Sequence, residues 1–249
     1  MKSFFENIYE MAIFSLRFFK ELPRPPYEGQ EFAKHLENFG LKSFPLVSVI
    51  GLLMGLILAL QTRPTLERFG AESFLPAMVA ISVVRELGPV ITALVVAGRV
   101  SSGIGAEIGS MRVTEQIDAL EVSSIDPYRF LVVPRIAAGI IALPLLTAYA
   151  DFLSITGAYA VSFISGGTSW QLYTSSVISS LTIADIIPGF TKTFIFGYII
   201  AAVGSYFGFN AHGGTTSVGK AATASVVFAS FLILITDLFA VKLGILIFE

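Results

Sequence analysis

Cysteine is absent from these 249 residues, histidine occurs twice and tryptophan once. Without cysteine there are no disulfides and no thiolate metal sites, and the redox compartment stays undetermined. With only His35 and His212, which have no ligand or catalytic partner in the sequence, a histidine-rich metal centre is excluded. Charge is scarce too: 14% of residues carry one, where a soluble domain has roughly 25%. The net charge of -2 shows no basic excess and gives no reason to expect nucleic acid. The N-terminus does not read as a secretory signal, because Glu6, Glu10, Arg17 and Lys20 interrupt its apolar residues and no small-residue cleavage site follows. What remains is 54% hydrophobic with a mean hydropathy of +0.78, the composition of an integral membrane protein.

Helical spacing of Phe4, Ile8, Met11, Ala12, Ser15 and Phe19, widened by Phe5 and Phe18 and flanked by Lys2, Arg17 and Lys20, predicts an interfacial helix over 3–20. The prolines of Leu22 to Gly29 end it. A short amphipathic helix with Phe32, Leu36 and Phe39 on one face then runs to a stop at Gly40. The first span is expected from Phe44 to Gln61, close to the ~20 residues a bilayer requires. Gly51 and Gly55 permit a close helix approach there, a weak signal because GxxxG is common in apolar helices. Arg63-Pro64 reads as the exit to water, and 65–72 as a polar connection. The second span, about Ser73 to Ser102, is too long for one straight crossing, and Pro76 and Pro89 predict kinks or a break. Further spans are expected over Phe130 to Phe163, Ile186 to Phe209 and Ala221 to Phe248, with a lateral external helix in 166–181 carrying Trp170 at the interface. The expected fold is therefore all-α, with five transmembrane helices, divided into a lead-in over 1–43 and a membrane domain over 44–249. Placing the N-terminus, 99–135 and 210–220 on the cytoplasmic side gathers 11 of the 16 basic residues there, with the C-terminus outside.

Two stretches carry the functional argument. Arg85-Glu86 lies with twelve uncharged residues on each side, before Arg99 closes the run. A charge at the bilayer centre costs about 2.5–3.5 kcal/mol on the lenient insertion scale. The pair therefore faces a protein interface or a wet cavity, either holding helices together or meeting an anionic headgroup. Residues 107–121 (EIGSMRVTEQIDALE) place Val113, Ile117 and Leu120 on one face, with Ile108 and Met111 on a second apolar edge and charges elsewhere. This is either an ordinary loop helix or a coupling helix that docks on a partner. Gly214 to Ala221 imitates a phosphate-binding loop but has Ala221 where the motif needs a hydroxyl, and no strand precedes it. Gly103-Ile104-Gly105 starts a dinucleotide motif and fails at Ile108. Asp151, Asp185, Lys192 and Asp237 are either inter-helix or helix-end pairs, or proton-relay carboxylates of a secondary transporter.

The block from RELGP to DALE, with FPLVSVIGLLMGLILALQ and SVGKAATASVVFAS, closely resembles the MlaE (YrbE-type) permease family, the membrane subunits of lipid-trafficking ABC transporters; the likeness covers roughly Gly40 to Leu246. That resemblance implies a bacterial inner-membrane permease that acts as a homodimer, moves phospholipid and is itself no enzyme. A separate cytoplasmic ATPase would bind ATP and magnesium, and the chain itself would need no cofactor. An MCE-domain substrate-binding protein would sit outside, with a STAS-domain regulator in some members. It implies lipid contacts at Leu58, Gln61, Leu66, Phe69, Arg85, Glu86 and Leu87. It also makes about 105–122 the coupling helix, with Glu107, Met111, Arg112, Glu115, Ile117 and Asp118 as contacts to the ATPase. The rival is a stand-alone secondary transporter of an amphiphile that works through its buried carboxylates.

Overall fold

The computed structural model describes residues 2–25 and 28–248, so the Pro26-Tyr27 part of the proline break lies outside the described residues. Five helical stretches among them are long and apolar enough to cross a membrane: Gly29–Arg68, Glu72–Val113, Tyr128–Gly166, Ile183–Phe209 and Thr215–Gly244. No strand occurs among the described residues, as the composition predicts.

The chain opens with α1 (Lys2–Glu21), whose Met11 and Phe18 are buried against the bundle. The expected stripe residues Phe4, Phe5 and Ile8 have side chains outside the described set. Phe14 meets the rings of Tyr128 and Tyr206 edge-on at 4.9 and 5.6 Å. Arg17 donates to Asp126 at 2.7 Å and lies over the Tyr128 ring, while the Tyr128 hydroxyl donates to the Phe14 carbonyl at 2.6 Å. Arg129 adds bonds to the carbonyls of Arg24 and Pro25. The N-terminal helix is thus strapped to the residues that start the third span. Next, α2 (Gly29–Phe39) begins one residue inside the expected break and stops at Gly40, and a tight turn at Leu41–Ser43 leads into α3 (Phe44–Arg68).

Here one expectation is corrected. The first spanning helix does not leave at Arg63-Pro64 but continues through Pro64 to Arg68. Arg63 supports the extra turn by binding Glu67 at 2.5 Å and the Ser165 carbonyl at 2.7 Å. The polar connection shrinks to a few residues before α4 (Leu75–Ser82).

The second span is one helical rod with two wide turns. After α4 comes a π turn at Val83–Leu87, then α5 (Gly88–Val96), a second π turn at Ala97–Ser101, and α6 (Ser102–Val113). Pro76 opens the helix rather than kinking it, a position where its missing N–H costs nothing. Pro89 directly follows the first wide turn, where the Gly88 N–H donates to the Val83 carbonyl five residues back. The third span repeats this device: a π turn at Tyr128–Val132, closed by Val133 N–H on the Tyr128 carbonyl, precedes Pro134 in α8 (Val133–Gly166). A wider turn relieves the clash that proline makes with the turn before it. Between these spans lies the short α7 (Gln116–Val122).

At the centre stands α8, with α3 along one side and α10 (Ile183–Phe209) along another. Small residues permit both approaches. A methyl group on Gly55 would collide with the Ser154 carbonyl, and the Ser154 hydroxyl donates to the Gly51 carbonyl at 2.7 Å. Gly139 of α8 and Gly197 of α10 meet backbone to backbone. The GxxxG of the first span is therefore a seam with the third. On the far side, α9 (Trp170–Ser180) is N-capped by Ser169, whose hydroxyl accepts from the Leu172 N–H. The last helix, α11 (Thr215–Phe248), starts ahead of the expected Ala221 and is the least buried of the spans.

Candidate functional site

The wide turn at Val83–Leu87 carries both intramembrane charges into contact with other spans. Arg85 Nη1 lies 3.7 Å from Asp185 Oδ1, in the first turn of α10. Asp185 also closes that helix start, accepting from the Thr182 backbone N–H at 3.0 Å and the Thr182 hydroxyl at 2.6 Å. Glu86 accepts from Lys192 Nζ at 2.6 Å, and the same ammonium reaches Asp237 of α11 at 2.9 Å. Lys192 is only 4% exposed, against 35% for Glu86. A buried ammonium is tolerable where charge-assisted bonds replace its water, as two carboxylates do here. Two cations face three carboxylates, so the set bears one net negative charge. It ties the second, fourth and fifth spans together at one level.

The other residues assigned to the lipid divide by position. Leu58, Leu66 and Leu87 pack, half-buried, on one apolar cluster built around Met54, Leu75 and Val79. Gln61 is exposed, and Phe69 is 80% exposed beyond the end of α3. The space between Arg85, Glu86, Pro188 and Lys192 is about 10 Å³, room for a single water. Arg85 and Glu86 each keep about a third of their side chains exposed on the other side of that gap.

Asp151 stands apart. It projects from α8 against Gly88, where a methyl group would strike its carboxylate, and its buried Oδ1 has no hydrogen-bond partner among the described residues.

The stretch expected as one coupling helix over 105–122 is instead broken. α6 stops at Val113, Glu115 adopts the left-handed conformation (φ 60°), and α7 runs from Gln116 to Val122 before a second left-handed residue, Ser124 (φ 62°). Non-glycine residues pay about 1–2 kcal/mol for that conformation. A single helix would carry the apolar Ile117 straight on; the break lets it turn in and be fully buried. Met111 also packs on the core. Glu107 pairs with the buried Arg135 at 3.0 Å, and Arg112 with Asp118 at 2.6 Å. Glu115, Gln116 and the 87%-exposed Val122 are left facing outward.

The partners of Arg85 and Glu86 were not readable in advance. Their only signal was the presence of Asp185, Lys192 and Asp237 in otherwise apolar helices.

Fold and charges together define a multi-pass α-helical membrane protein with ionised groups paired across its spans. Comparison with known proteins narrows this. The family described as Permease MlaE matches residues 32–243, and the chain belongs to that family. It is 39% identical over 232 residues to a probable ABC transporter permease protein of Rickettsia bellii, covering 93% of this chain and 90% of that one. It is 35% identical over 208 residues to the intermembrane phospholipid transport system permease protein MlaE of Haemophilus influenzae, covering 82% and 78%. A probable ABC transporter permease protein of Synechocystis is 34% identical over 206 residues, covering 83% and 78%.

Proposed function

We propose that this chain is the inner-membrane permease subunit of an ABC transporter that carries phospholipid, working as a homodimer and catalysing no reaction itself. The observation that carries this reading is the five-member charged set around Arg85 and Glu86, held at one level of three spans. An intramembrane ion network is costly to keep, which favours a role for it in transport. Arg85, a third exposed, is the group to meet a lipid phosphate, and Leu58, Leu66 and Leu87 form the apolar wall for acyl chains. With only about 10 Å³ between Arg85, Glu86 and α10, a headgroup would meet Arg85 from its exposed side. Gln61 and Phe69, exposed on the single chain, would contact the same lipid from the end of α3.

Motion would come from a cytoplasmic ATPase that binds ATP and magnesium and docks on α7. Two left-handed residues bracket that helix and Ile117 anchors it, so it projects as a stiff knob. That the Haemophilus relative is a permease of an intermembrane phospholipid transport system supports phospholipid as cargo; in this reading the lipid is exchanged with an MCE-type binding protein outside the membrane. A STAS-domain regulator would join on the ATPase side.

Two substitutions test the reading. In the purified transporter, Glu86→Lys puts three cations together and is expected to abolish lipid transfer while the ATPase stays bound; normal transfer would sink the pocket assignment. Glu115→Arg reverses the charge at the tip of the knob and is expected to release or uncouple the ATPase, read by co-purification and lipid-stimulated ATP hydrolysis. A fully coupled complex would remove α7 from the docking surface.

The unpartnered Oδ1 of Asp151 favours the second reading, an ion-driven transporter. That reading requires uptake in liposomes without any ATPase, and loss of uptake in Asp151→Asn.

A further inference from the structure

At the opposite end of the bundle from the Arg85 set, a cavity of about 410 Å³ opens between α2, α6 and α8. That volume falls within the range of small-ligand sites. Its lining sets Lys42, Arg99 and Arg135 beside the apolar Phe39, Val100 and Ile104. Glu107 is the one carboxylate among the described lining residues, so Lys42, Arg99 and Arg135 against it leave two positive charges. Glu31, beside His35, is already paired with Lys34 at 3.3 Å.

The buried donors are incompletely used. Arg135, 2% exposed, gives Nη1 to the Leu131 carbonyl at 2.6 Å and Nη2 to Glu107 at 3.0 Å, but its Nε has no hydrogen-bond partner among the described residues. His35, 5% exposed, lines the same cavity, and its Nε2 lacks a hydrogen bond as well, with Glu31 3.4 Å away. Orphaned donors on a buried guanidinium cost free energy unless something supplies an acceptor. Arg99 is oriented by bonds to the Asn38 carbonyl at 3.0 Å and the Ser43 hydroxyl at 2.8 Å, and the exposed Lys42 stands at the mouth, bonded to Asn38.

We propose that this cavity is a second lipid site, which holds the phosphate-bearing headgroup of an acidic phospholipid in the leaflet on the N-terminal side. Clustered cations at a membrane boundary attract anionic lipid at about 1 kcal/mol each. The apolar part of the lining and the position where the amphipathic α2 joins the spanning α3 suit an amphiphile better than a soluble anion. The site rests on the chain spanning a membrane and not on the transport reading. Its occupant braces α2 and α6 against α8, so it acts on the rod that also carries the Arg85 turn.

The test is native mass spectrometry of the full-length protein in detergent, titrated with dioctanoyl phosphatidylglycerol, dioctanoyl phosphatidylcholine or inorganic phosphate. The expected result is a phosphatidylglycerol equivalent, retained in Glu86→Lys, that weakens about 10-fold or more in Lys42→Gln/Arg99→Gln and is unchanged in Lys34→Gln, a cation outside the cavity. Because Arg99 also bonds the backbone at Asn38, Lys42→Gln alone covers the case in which the double variant does not fold, with an expected weakening of about 5-fold. Unchanged phosphatidylglycerol binding in these variants overturns the proposal. Equal binding of phosphatidylcholine overturns it too, and displacement of the lipid by inorganic phosphate removes lipid as the source. Loss of a protein partner with lipid binding intact would reassign the surface to that partner. Failure of the Glu86→Lys test leaves all of these readouts untouched, so the two ideas fail separately.

Discussion

Two ion pairs in this molecule have the same length and opposite meanings. Lys192 to Glu86 and Arg112 to Asp118 are both 2.6 Å. Lys192 is 4% exposed inside the bundle, whereas Asp118 is 52% exposed on α7. In water the second pair is screened and contributes about 0–1 kcal/mol. In the bundle the first pair is held by the cost of separating it, because a lone buried charge has nowhere to go. The comparison shows that contact distance says little about energy until the surroundings are known. It also separates two tasks: a network that fixes three spans in one arrangement, and a surface pair that can rearrange at little cost.

The comparison breaks most sharply at Lys192. Replacing it by Met leaves Glu86 and Asp237 facing each other with no cation, an expected loss of about 3–5 kcal/mol. Thermal unfolding in detergent measures this, and adding Glu86→Gln and Asp237→Asn should recover most of the loss. If Lys192→Met is as stable as the parent, the network is wetter than its burial implies. Arg135→Met lies between the extremes, since the guanidinium is buried but its partner Glu107 is 46% exposed and can rehydrate. The expected cost is about 1–3 kcal/mol, from the lost side-chain hydrogen bond to Leu131 and the lost pair with Glu107. Asp118→Asn should change stability by less than about 1 kcal/mol, and that small change should fade in high salt. A large effect there would mean that α7 is fixed by its ion pair rather than by Ile117.

The five spans were legible because each is an apolar run of bilayer length, a signal that survives without homologues. The strap of α1 was half legible: its apolar stripe foretold a buried face, but nothing near Arg17 named Asp126 as its partner. Two local expectations failed for identifiable reasons. Proline usually ends a helix, yet Pro64 is carried because Arg63 binds Glu67 and the Ser165 carbonyl and fastens the extra turn. The break inside 105–122 was hidden because a left-handed turn normally advertises itself with Gly or Asn, and here it falls on Glu115. Within the candidate site, Arg85 and Glu86 were conspicuous as charges in an apolar run. Their partners were not, since spans that are apolar all round carry no pattern that says which face turns toward which neighbour. Asp185, Lys192 and Asp237 had to be placed by packing.

The strap on α1 also has a consequence for how the chain is made. Arg17 and Asp126 are separated by 109 positions, and Tyr128 meets Phe14 across 114. At about 5–20 residues per second, a ribosome needs roughly 5–20 s to deliver the far halves of these contacts. Through that interval the Met11 and Phe18 face of α1 has no protein to cover it, and the bilayer surface is the nearest apolar shelter. The nascent chain therefore parks its first helix on the membrane and collects it only when the third span begins to emerge.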